Sequence, residues 1–220
     1  MPISKSPKAL PSHRPGKSGG KRDENRKRQV AKLGKAGLVL FCERGLEAVS
    51  VDDIVRKAKV AKGSFYRYFS DKSELVEALF SPFHSQIQVA LDLAQSQTST
   101  LRSPADLTRV YGGLASTIAV LVSNNPEVLQ LYLQENRGPD IAARRPILNL
   151  SKIIDDAGWQ MTLVAQKHGL LRSSYNAKLG SLSSIGSIER LLLAYRRQET
   201  DLSAAEMSSA VIEIILDGVR

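Results

Sequence analysis

The sequence predicts an all-α protein. Apolar residues recur at three- and four-residue intervals over long stretches, and no segment alternates apolar and polar positions with period two. No Asn-Gly or Asp-Gly pair joins two β-branched runs, so no hairpin is signalled. Recurrent helix-start signals then divide the chain into about nine helices.

Residues 1–25 hold Pro, Ser, Gly and Lys but little that can pack, and read as a disordered basic arm. From Arg26, Val30, Leu33, Gly37, Leu40 and Phe41 fall on one helical face, and Gly45 stands where that helix should end. Ser50 and Asp53 have capping-box spacing and open a short helix whose apolar face is Val51, Ile54, Val55 and Ala58. A break at Lys59, Val60 and Ala61 precedes a second short helix with Phe65, Tyr66 and Phe69. Asp71 and Glu74 form another box, opening a long helix through Leu75, Leu79, Phe83, Ile87, Leu91 and Ala94. Ser103-Pro104 and Asn125-Pro126 place proline at a first helical position. They introduce helices over Leu107–Val122 and Val128–Gln134. Ile147–Lys167 and Leu182–Arg196 follow, and Ser203 with Glu206 opens a last helix to Val219.

The net charge of +9 is unevenly placed. Through Phe80 there are 18 Lys and Arg against 9 Asp and Glu, whereas from Ser81 onward the counts are 13 and 13. The N-terminal third therefore suits a polyanion, and the remainder is neutral. Lys5, Pro7, Lys8 and Pro11 occupy the place of a signal peptide's apolar core, and the longest apolar run, Ala36–Cys42, falls short of a bilayer span. The expectation is a cytoplasmic protein without a membrane partner. A single cysteine, Cys42, excludes an internal disulfide and a cysteine-rich metal site.

No catalytic constellation stands out. Gly16-Lys17-Ser18 looks like the end of a phosphate-binding loop, but Pro11 occupies the position of its first glycine and no strand precedes it. His13, His84 and His168 have no partner at metal-ligand spacing, and Asp155 and Asp156, as helix neighbours, point about 100° apart. The sequence predicts neither an enzyme nor a bound metal or cofactor.

Residues 45–75 carry the informative pattern. Two short helices joined by a tight turn form a helix-turn-helix, in which the first helix braces the second for the DNA major groove. Ile54, Val55, Val60, Phe65 and Phe69 supply the packing, leaving Lys62, Ser64, Tyr66 and Arg67 as donors for phosphates and base edges. The run Phe41-Cys42-Glu43-Arg44-Gly45, then Val51-Asp52-Asp53-Ile54, then Val60-Ala61-Lys62-Gly63-Ser64-Phe65-Tyr66 with Tyr68, Phe69, Lys72 and Leu75 resembles the DNA-binding domain of TetR-family transcriptional regulators. The likeness spans about Arg26 to Phe80. It implies that Ser50 caps its helix and meets a phosphate, and that Lys62, Ser64 and Arg67 reach bases or phosphates. It also implies that Tyr66 and Lys72 hold the DNA backbone. Lys59 stands where the family usually has Gly, and Ala61 where it usually has a capping hydroxyl residue.

The resemblance implies a DNA-binding domain over 26–72 and a helical ligand-binding and dimerisation domain over 73–220. Tyr111, Tyr132, Trp159 and Met161 are candidates to line its pocket. Ile185, Ile188, Leu192 and Tyr195, followed by Val211 and Ile214, form two apolar stripes suited to a four-helix interface between subunits. The function implied is a homodimeric repressor that binds a palindromic operator in double-stranded DNA and is released by a small molecule. Two alternatives stand beside it: a ligand-independent architectural DNA-binding protein, and an enzyme whose basic arm is incidental.

Overall fold

A computed structural model describes residues 20–201, together with Glu206, Ala210 and Glu213. Eight α-helices follow one another in the described residues: α1 Lys21–Ala48, α2 Val51–Ala58, α3 Lys62–Tyr66, α4 Lys72–Thr98, α5 Pro104–Asn124, α6 Pro126–Glu135, α7 Arg145–Lys167 and α8 Ala177–Arg196. A 3-10 turn, Ala142–Arg144, leads into α7. Of the segment 203–219 expected as a last helix, Glu206, Ala210 and Glu213 are described and helical, while Val211 and Ile214 lie outside the described residues, as do residues 1–19 of the basic arm.

Local chemistry explains most boundaries. α1 starts at Lys21 rather than Arg26, so positions 21–25, assigned to the arm, are helical. Asp23 and Glu24 sit in the first turn, where the helix dipole favours acids, and Asp23 pairs with Lys27 one turn on at 3.1 Å. Gly45 breaks α1 with φ 79°, a value that costs glycine little. Asp71 caps α4 by accepting from the Ser73 and Glu74 amides (2.7 and 3.0 Å), while Glu74 answers to Ser70 N rather than to Asp71. α8 begins at Ala177, five residues before the periodic stripe, because the Asn176 side chain accepts from the Lys178 and Leu179 amides.

One apolar core runs from α1 through α2 and α3 into α4, α6 and α7. Leu33, Phe41, Leu46, Ile54, Phe65 and Leu75 are fully buried at its N-terminal end, and Phe80, Leu131, Ile147 and Leu150 continue it. Gly37 permits the approach of α1 to α4, since a Cβ there would stand 2.8 Å from Leu75 Cδ2. Cys42 is part of the α1–α6 contact: its thiol donates to the Glu127 carbonyl at 3.3 Å, and burial pushes its pKa up to about 11. α5 is long and apolar enough, by length and composition, to cross a membrane. Here one face of it lines a cavity.

Candidate nucleic-acid interface and ligand cavity

The α2–α3 pair is built from local rules. Ser50 Oγ accepts from Asp53 N (3.2 Å) and donates to Asp53 Oδ2 (2.6 Å), while Asp53 takes the Ser50 amide, a reciprocal capping box. These bonds hold the Asp53 carboxyl below the usual carboxylate range. α2 ends at Lys59, which takes the left-handed conformation (φ 57°, ψ 48°) while Val60 N reaches back to Val55 O at 3.1 Å. This is the turn in which glycine is usual, and Lys59 bears its strain. Ala61 caps α3 with no side-chain bond.

Phe65 is fully buried and meets Phe69 and the edge of Tyr66, with ring centroids 5.6 and 5.5 Å apart. That packing turns the rest of α3 outward. Lys62 and Arg67 are exposed, Ser64 is half-buried, and the Tyr66 ring is 53% exposed rather than core. Lys62 Nζ pairs with Asp52 at 2.8 Å, which raises its pKa and brings the starts of α2 and α3 together beside Ser50. Exposed pairs of this kind contribute about 0–1 kcal/mol, so a phosphate can displace Asp52 at small cost. Arg67 has no ion-pair partner among the described residues.

Lys72 is placed differently from the expectation of a backbone-phosphate contact. Its ammonium turns inward to the carbonyls of Leu46 and Val49, the latter at 2.9 Å, and burial lowers its pKa. These carbonyls lie at the end of α1, where helical bonding has run out, and a lysine near a helix C-terminus satisfies them. Lys72 therefore ties α4 to the end of α1.

Beside it lies a buried charge pair that sequence reading missed. Glu135, last in α6, accepts the Leu46 amide at 2.9 Å and pairs with Arg144 at 2.6 Å, both side chains under a tenth exposed. Arg144 also donates to the Pro139 carbonyl (2.6 Å) and to Glu47 (2.9 Å). A charge cluster thus bolts the Gly45 break in α1 to α6 and to the start of α7. No sequence spacing signals it, because its members lie as many as 97 positions apart.

Between α4, α5, α6, α7 and α8 is a cavity of about 520 Å³ with a largely apolar wall, within the size range of small-molecule sites. Tyr111, Tyr132 and Met161 line it as expected. Trp159 does not, and instead lies under the Lys178 ammonium, 5.3 Å from the ring centroid. The proposed interface residues Ile185, Ile188, Leu192 and Tyr195 also line this cavity, so that stripe of α8 faces its own subunit. The exposed apolar residues of α8 are Leu179, Leu182 and one side of Tyr195. An amphipathic stripe reports a buried face without naming what buries it. The carboxylate of Glu189 in the wall is held by Tyr132 (2.9 Å), Asn136 (2.7 Å) and Arg137 (2.8 Å).

Residues 34–79 match the family described as bacterial regulatory proteins, tetR family. That segment, residues 34–79, is thus of the tetR-family type. Among its curated relatives, the transcriptional regulator AcuR of Cereibacter sphaeroides is 36% identical over 95 residues, 43% of this chain and 42% of AcuR. The chain thus spans less than half the length of that relative. Among solved structures, the transcriptional regulator FadR from Bacillus subtilis in complex with stearoyl-CoA superposes with a TM-score of 0.64 at 16% identity, covering 86% of this chain and 99% of FadR. SmeT, the repressor of the Stenotrophomonas maltophilia multidrug efflux pump SmeDEF, in complex with triclosan gives 0.63 at 16% identity, covering 88% of this chain and 92% of SmeT. These likenesses establish a TetR-type fold, with a helix-turn-helix followed by a helical domain.

Proposed function

We propose that the chain is a cytoplasmic, homodimeric DNA-binding repressor that leaves a palindromic operator when a small molecule enters its cavity. Residues 26–72 would bind DNA and residues 73–220 would hold the ligand and the partner subunit. The observation that carries this reading is the double role of α6. Tyr132 of α6 lines the cavity, and Glu135, at the end of the same helix, grips the break in α1 beside the helix-turn-helix. A ligand that shifts α6 shifts α1, and with it the recognition helix. Operator half-sites one turn apart require about 34–36 Å between recognition helices, so a small rotation weakens binding. The ligand acts to the extent that it binds the released state better than the DNA-bound one. That FadR and SmeT hold stearoyl-CoA and triclosan supports a ligand-controlled reading.

Dimerisation would use the outward face of α8. Leu182, 40% exposed, can accept a charge without disturbing the subunit's own core. Leu182→Asp should therefore stay folded by circular dichroism, halve the mass seen by light scattering and lose tight operator binding. A variant with the wild-type mass would place the subunit contact elsewhere.

A further inference from the structure

The wall of the cavity contains two charged side chains, Glu189 and Arg196, and they differ in how they are satisfied. Glu189 accepts three hydrogen bonds, one from the Arg137 guanidinium, and is electrostatically matched. Arg196 has no carboxylate partner among the described residues. Its guanidinium makes one side-chain bond there, to Gln130 Oε1 at 2.9 Å, although it carries five N–H donors. A half-buried guanidinium beside an apolar wall, with donors to spare, attracts a planar anion that can take two of them at once.

The shape of the cavity adds a second constraint. Its wall follows α8 from Gly180 and Ser181, near Tyr175, to Tyr195 and Arg196 at the other end. Ser181 and Arg196 are separated by about 22 Å of helix axis at ~1.5 Å per residue. Between them α8 lines the cavity with Ile185, Ile188, Leu191 and Leu192 and with the polar Ser184 and Glu189, and Tyr111, Met161 and Ile154 complete this part of the wall. An elongated, largely apolar body fits this run, and an anion placed along it would be desolvated and would meet the Glu189 carboxylate.

We infer that the cavity takes an elongated apolar carboxylate, a fatty-acid-like amphiphile, with its carboxylate on Arg196 and its tail directed along α8 toward Ser181. This inference rests on the cavity being the effector site. It also supplies a route to the DNA-binding half. The guanidinium that the carboxylate would draw toward it is also bonded to Gln130. Gln130 Nε2 and its α6 neighbour Gln134 Nε2 both reach the Cys42 carbonyl of α1, at 3.5 and 3.2 Å. Drawing Arg196 away from Gln130 therefore loosens a contact between α6 and α1.

The test is calorimetric titration of the intact protein with decanoate, 1-decanol and decylammonium, each below its micelle concentration. The same three probes are then added to the protein–DNA complex. Decanoate should bind about ten- to a hundredfold more tightly than 1-decanol, the range for a charge-assisted hydrogen bond, and decylammonium most weakly. Arg196→Gln should abolish the preference for decanoate while leaving 1-decanol affinity unchanged, and Arg196→Lys should keep part of it. Equal affinity for decanoate and 1-decanol, an Arg196→Gln variant that keeps the preference, or no binding of any probe would overturn the inference. Decanol and decanoate releasing DNA equally well would preserve the effector site and refute the head-group assignment. Decanoate binding through Arg196 without altering DNA affinity would preserve the ligand class and refute the effector role.

Discussion

Arg144→Met should lower the stability of the protein by about 3–5 kcal/mol, the cost of leaving one member of a buried ion pair uncompensated. The abandoned group is Glu135, whose side chain is 8% exposed. Surface pairs such as Lys152–Asp156 contribute far less, because water screens them. Charge is the cause, so Arg144→Met combined with Glu135→Gln should recover most of the loss. The glutamine retains an acceptor for the Leu46 amide and carries no charge to strand. Urea unfolding of the two variants measures both effects. A cost below about 1 kcal/mol for the single change would show that the pair does not bolt α1 to α6.

The second large effect is on DNA. Lys62→Ala and Arg67→Ala should each weaken specific binding by about 1–3 kcal/mol per half-site where the side chain reads a base. Lys62→Ala carries an additional penalty. It frees the Asp52 carboxylate, now 2.8 Å from Lys62, to face the phosphates alone. Lys72→Ala provides the contrast, since its ammonium serves the Leu46 and Val49 carbonyls. It should lower the melting temperature and leave the salt dependence of DNA binding unchanged. Fluorescence anisotropy on a fixed duplex across a salt series separates the three. Unchanged affinity in both Lys62→Ala and Arg67→Ala would remove α3 from the interface. A flattened salt slope in Lys72→Ala would return that lysine to the DNA backbone.

What was legible in the sequence was mostly local. The capping box at Ser50 and the prolines at Pro104 and Pro126 each depend on neighbours within a few positions. Their spacing alone therefore reported them. The outward face of α3 was legible too, because burying Phe65 and Phe69 leaves Lys62, Tyr66 and Arg67 outside. The direction of a long flexible side chain was not. Lys72 has four rotatable bonds and found two carbonyls more than twenty positions away, at the end of another helix. That the α8 stripe is apolar was legible, but not that Ile185, Ile188, Leu192 and Tyr195 line a cavity of their own subunit. Trp159 shared the composition of a pocket residue without its place, since aromatic character says nothing about which side of α7 meets the void. Glu135, Arg144 and Arg196 gave no signal at all. Their meaning depends on burial and on missing or distant partners, which only the packed chain defines.

Selection of bound duplexes from random DNA, followed by sequencing, bears on whether the helix-turn-helix reads DNA as a pair. The enriched sequences should form an inverted repeat whose half-site centres are about 10–10.5 base pairs apart or a multiple of that, matching two α3 helices related by a twofold axis. Enrichment of an isolated, non-repeating motif would contradict the symmetric dimer, and no enrichment over input would contradict sequence-specific DNA binding altogether.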